Sequence, residues 1–182
     1  MPSKPRAYAE QARADYAVYV TSGEPLYAAL AEHHRLQLLQ MALEKLAKAF
    51  LYHAEPDARY GHDVALSAIK RLRSHEIAAA VGVKLAKLSQ MLDDAKPIFL
   101  QIEAASPSVG NDGPGLTREQ SERTANVEYP WQSNVNDSTS WVTPASHQFP
   151  VVRDLRAAPR SITAVRLLGR LINAALVVLP GS

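Results

Sequence analysis

The chain has 182 residues, of which 47% are hydrophobic and 21% charged, which suits one globular domain and excludes a disordered or fibrous chain. It has no cysteine, which excludes disulfides and leaves His and carboxylates as the only zinc ligands. A net charge of +2 is too small for bulk charge to argue for nucleic-acid binding.

In chain order, Ser3 and Pro5 mark a helix start, because proline is tolerated in a first turn. Tyr8, Ala12, Tyr16 and Tyr19 then fall on one side, and Gly23 and Pro25 interrupt. The next element has the strongest pattern. Leu36, Leu39, Leu43, Leu46 and Phe50 recur at spacings of three and four, with no Gly or Pro from Leu26 to His53. Burying those side chains contributes on the order of 10 kcal/mol, at about 2 each, as an upper bound. Glu44 and Lys48 sit four apart in the favoured order, which predicts a small surface pairing. Glu55-Pro56-Asp57 ends the helix.

Asp63 is a cap candidate for a third helix running through Ile69 and Leu72. Ser74 caps a short continuation and Gly82 stops it. A further helix carries Leu85, Leu88, Leu92, Ala95, Phe99 and Ile102, with Pro97 expected to bend or divide it. Residues 105–117, with the glycines and prolines of Ser106 to Gly115, read as a flexible loop. Thr117 and Gln120 have the capping-box pattern for a short helix near Arg118 to Asn126. Periodicity then vanishes, so residues 128–150 are expected to form an irregular loop rich in aromatics: Tyr129, Trp131, Trp141 and Phe149, with His147. A last helix presents Ile162, Val165, Leu168, Ile172, Leu176 and Leu179 inward. The fold expected is all-α: an up-and-down antiparallel bundle of about five main helices, with the long aromatic loop before the last one.

Residues Met1 to Gly23 hold no apolar signal core, and the strongly apolar stretch Ala174 to Leu179 is too short to cross a bilayer. A cytoplasmic protein without a membrane partner is the expectation.

The run Leu38 to Leu51, the segment Gly61-His62-Asp63-Val64, and Glu128-Tyr129-Pro130-Trp131 occur in that order, followed by a terminal helix. In this order and spacing the chain resembles HEPN proteins (higher eukaryotes and prokaryotes nucleotide-binding), over about residues 8 to 179. The resemblance implies a single HEPN-like helical domain over residues 1–182 that forms a homodimer. It also implies a link to toxin–antitoxin, phage-defence or RNA-processing systems. The family's ribonucleases pair an Arg and a His with four to six residues between them, on one helix face where imidazole moves a proton and guanidinium holds phosphate. That motif is absent here. Arg59 and His62 have two residues between them, Arg71 and His75 three, and Arg73 and His75 one. Lys48 and His53 have four, but Lys lacks the planar fork.

The expectation is therefore a non-catalytic module that dimerises and binds a protein, nucleotide or nucleic acid, with no cofactor and no metal. The alternative is an RNA-cleaving enzyme with a rearranged Arg/His site. Candidate anion- or nucleotide-binding residues are Arg59 and His62 at a helix start, Arg71 and His75 at a helix junction, and Tyr129, Trp131 and His147 in the aromatic loop. The aromatic group also fits a satellite core that pins the loop. Five arginines and one acid, Asp154, between Arg153 and Arg170 form either a solvated face or an anion-facing surface. Adjacent His33 and His34 are expected on different sides of a helix, unable to chelate together. No nucleophile elbow, phosphate-gripping Gly loop or zinc helix is present.

Overall fold

The structure, a computed structural model, describes residues 3–22, 31–61, 64–105, 131–135, 138–144 and 149–181. Within these it is mainly helical: α1 (Lys4–Thr21), α2 (Glu32–Ala54), α3 (Ala65–Leu72), α4 (His75–Val81), α5 (Leu85–Glu103), α6 (Pro150–Ala157) and α7 (Pro159–Val178). A two-stranded antiparallel ribbon, β1 (Trp131–Val135) and β2 (Ser138–Val142), stands between α5 and α6. Over 131–135 and 138–142 the ribbon corrects the irregular loop expected across 128–150, and α6 begins at Pro150. Trp131 pairs in register with Val142, and Val135 with Ser138. The loop at 106–115 and the short helix expected near 118–126 lie outside the described residues.

Local signals account for most helix ends. Ser3 caps α1, its hydroxyl oxygen accepting the Arg6 amide at 3.4 Å. Ser74 caps α4 by accepting the Ile77 amide at 3.2 Å. Gly82 closes α4 at φ 75°, and the Gly82 and Val83 amides return to the Ala79 and Ala78 carbonyls at 2.9 Å. A residue other than glycine at Gly82 would meet the left-handed penalty. Ala158, in extended backbone ahead of Pro159, separates α6 from α7. The basic stretch Arg153 to Arg170 is thus divided between α6 and α7. Pro97 does not divide α5, which runs unbroken through it.

One cap crosses the fold. The Ala65 amide at the start of α3 donates to Glu103 Oε1 at 2.6 Å, from the far end of α5. Asp63, the expected cap, lies outside the described residues.

The inward stripes pack as their spacing requires. Leu36, Leu39, Leu43, Leu46 and Phe50 of α2 are buried against Leu88, Leu92, Phe99 and Ile102 of α5 and Val165, Leu168 and Ile172 of α7 in one core. Phe149 belongs to this core rather than to a satellite cluster. A smaller cluster joins Ala47 and Leu51 of α2 to Val64 and Ala68 at α3. α1 runs antiparallel to α2: Tyr8 stacks on Tyr52 with centroids 5.3 Å apart, while Ser22, just past the other end, accepts from Arg35 Nε at 3.1 Å. α1 is also antiparallel to α7, since Arg6 donates to the Leu176 carbonyl and the Tyr16 hydroxyl donates to the Val165 carbonyl at 3.0 Å.

Gly169 makes that last contact possible. A Cβ there would lie 2.6 to 2.7 Å from the Tyr16 ring. By length and composition α7 as a whole could cross a bilayer, which the short run at its end did not suggest; 56% of its apolar window is buried inside the fold.

Candidate functional site

Of the expected anion-binding residues, Arg59, Arg71 and His75 lie along the stretch where α2 hands over to α3 and α4. α2 ends at Ala54, and Glu55, its C-cap, projects into the connection. Tyr60 folds back there. Its hydroxyl donates to Glu55 Oε2 at 3.3 Å and lies 3.4 Å from the Leu51 carbonyl oxygen, and its ring meets Tyr52 edge-on at 5.1 Å. Burial raises the Tyr60 phenol above its ordinary pKa, and the Glu55 carboxylate raises it further. The other Glu55 oxygen accepts from Arg71 at 2.7 Å. The exposed Arg71 guanidinium is thus oriented by an acid sixteen residues upstream.

The remaining candidates separate from it. Arg73 turns to Asp93 on α5. His75 is exposed in the first turn of α4, and Arg59 is exposed in the connection. Among the described residues no hydrogen bond or ion pair joins His75 to Arg71 or Arg73. His62, Tyr129 and His147 lie outside the described residues. Trp131 opens β1.

His33 and His34 depart from expectation. Their ring centroids are 4.0 Å apart at the start of α2 rather than on different sides. Burial lowers the His33 pKa, and His34 beside it lowers it further. Among the described residues no third His, Cys, Asp or Glu completes a metal-holding group there or elsewhere.

A second constellation escaped the sequence reading. Glu44 and Lys48 are buried, not a surface pair. With Gln40 they form a ladder along α2, each four residues from the next. Glu44 Oε2 accepts from the Gln40 amide at 3.2 Å, and Oε1 accepts from Lys48 at 2.7 Å and from Lys45 at 3.4 Å. Facing it on α1, Asp15 accepts from Gln11 Nε2 at 2.9 Å. Asp15 is 6% exposed, and its Oδ2, like Gln40 Oε1, has no hydrogen-bond partner among the described residues. Burial raises the Asp15 pKa, as does Glu44 nearby, while the Gln11 bond and Lys45 oppose. Two carboxylates and two ammoniums nearly balance, and the seam can hold an extra proton on Asp15. Its enclosure suits it to fixing α1 on α2 rather than to meeting a substrate. The available signal was the spacing of Gln40, Glu44 and Lys48 on a helix that is apolar on its neighbouring faces.

The basic stretch of α6 and α7 is at the surface. Arg153, Arg156, Arg160, Arg166 and Arg170 are all exposed. Arg153 lies 3.6 Å from Asp154, Arg156 pairs with Glu32, and Arg170 donates to the Val81 carbonyl at 2.7 Å.

The chain matches no family model, no curated protein and no solved structure.

Proposed function

We propose that the protein is a HEPN-like cytoplasmic module that forms a homodimer and binds RNA, within a toxin–antitoxin or defence setting, without the cleaving site of the family's ribonucleases. What carries the reading is the exposure of all five arginines along α6 and α7, with one acid among them. Guanidinium is the side chain best matched to phosphate, because its planar fork donates two parallel hydrogen bonds. The family and the dimer in this proposal rest on the resemblance of the sequence runs Leu38 to Leu51, Gly61 to Val64 and Glu128 to Trp131 to HEPN proteins.

RNA binding by arginine releases counterions, so affinity should fall steeply with salt, with a log–log slope of about −0.7 per phosphate contact on a single strand. Titration of a short single-stranded RNA at several salt concentrations is the test. The Arg153→Ala/Arg166→Ala variant is expected to lower the slope by about 1.4, at about 0.7 per lost contact. Undetectable or salt-insensitive binding overturns the reading. Light scattering checks the dimer, and a strict monomer at tens of micromolar contradicts it. Arg71 and His75 are both exposed across the α3–α4 junction, so a rearranged ribonuclease is the competing reading. RNA cutting that is lost in His75→Ala with binding intact would favour it.

A further inference from the structure

We propose that the groove between α5 and α7 is a binding site for an organic anion with an aliphatic body, of the chemical class of a free medium-chain carboxylate. The groove encloses about 770 Å³, inside the span of roughly 300–1,000 Å³ typical of small-molecule sites. Val83, Met91, Ala95, Pro97 and Leu167 give it an aliphatic wall. Among the described residues no aromatic ring lines it, so these residues offer no stacking platform of the kind a nucleobase uses.

The charge along its edges favours an anion. Lys87, Arg160 and Arg170 line it against Asp93 and Asp94. Asp93 is already matched by Arg73, which does not line the groove. Arg170 uses one nitrogen on the Val81 carbonyl, and its other guanidinium donors remain for a ligand. Arg160 stands in the first turn of α7, where the positive end of the helix dipole adds to its own charge. An aliphatic wall with a cationic edge selects a ligand that is apolar along its length and anionic at one end.

Calorimetric titration of the intact protein with octanoate, decanoate, decanol and decyltrimethylammonium tests this. One decanoate should bind per chain. Decanoate should bind about tenfold tighter than octanoate, since each methylene buried is worth about fourfold when fully covered. The cationic analogue should not compete. The Lys87→Ala/Arg160→Ala variant should weaken decanoate at least tenfold and leave decanol unchanged. Thr163→Trp, at an exposed position on the groove wall, should abolish binding of both with helicity unchanged. Three results would overturn the site: no saturable decanoate binding, full affinity in a folded Thr163→Trp protein, or attachment to anionic vesicles without affinity for monomeric decanoate. Arg153 and Arg166, used to test RNA binding, do not line the groove, so the two ideas can fail separately.

Discussion

α1 and α7 are similar in length, at 18 and 20 residues, but different forces hold them. α7 is fixed by area. Leu167, Leu168, Leu171 and Ile172 are almost wholly enclosed, and their burial scales with apolar surface rather than with pH or salt. α1 buries only Ala9, Ala12 and Asp15. It is fastened instead by polar contacts: Ser3 to the Pro180 carbonyl at 2.9 Å, Tyr16 to the Val165 carbonyl, and the Lys4 ammonium 3.4 Å above the Tyr52 ring. The same fold thus contains one helix held by a broad apolar face and another that adds hydrogen-bonding and ionic contacts to a smaller one of Ala9, Ala12 and three partly buried tyrosines.

The largest effect is expected at the buried polar ladder of α2, beside Asp15 of α1. Glu44→Ala removes the acceptor shared by Gln40, Lys45 and Lys48. Stranding a buried lysine and amide should cost about 3 kcal/mol, read as a lower urea midpoint at unchanged m value. A loss below about 0.5 kcal/mol would place the ladder among surface pairs of little worth.

A smaller effect, with a change of sign, is expected where the two helices meet. Gly169→Ala forces the Tyr16 ring from its slot and breaks its hydrogen bond. The net cost should be about 1 kcal/mol, because alanine's better helix propensity offsets part of it. In a Tyr16→Ala background the slot is vacant, so the same Gly169→Ala change should stabilise by up to about 1 kcal/mol. Equal effects in both backgrounds would show no coupling between the ring and the glycine.

The contrast also explains what the sequence disclosed. The stripes of α2, α5 and α7 were legible because burial on one side of a helix imposes its own period, and Leu88, Leu92, Phe99 and Ile102 sit where the spacing puts them. Ser74 and Gly82 were legible because capping is local. The ribbon was not, since Trp131–Val135 and Ser138–Val142 are mostly Ser, Thr, Asn and Gln and show no apolar alternation. The α6–α7 break was not expected, although Pro159 carries its signal in the restriction of Ala158 to extended backbone. The candidate site was legible only in residue type. Arg71 depends on Glu55, sixteen residues away, and α3 borrows Glu103 from thirty-eight away. Burial of Glu44 and Lys48 was hidden because a four-residue acid–base spacing is also the pattern of a solvated helix.

The most direct test of separately held helices is native-state amide exchange of α1 and α7, in the natural protein and in Asp15→Asn, from about pH 4 to pH 7. Burial raises the Asp15 pKa in the folded state, so the native chain keeps that proton longer than the unfolded chain. The contribution is fully present below the ordinary carboxylate pKa and is lost as pH rises through the raised one. After correction for intrinsic exchange, α1 should open at lower free energy than α7. Its opening free energy should fall as pH rises in the natural protein and change less in Asp15→Asn, with α7 nearly flat in both. Exchange of α1 and α7 at one common, pH-independent free energy would contradict the account.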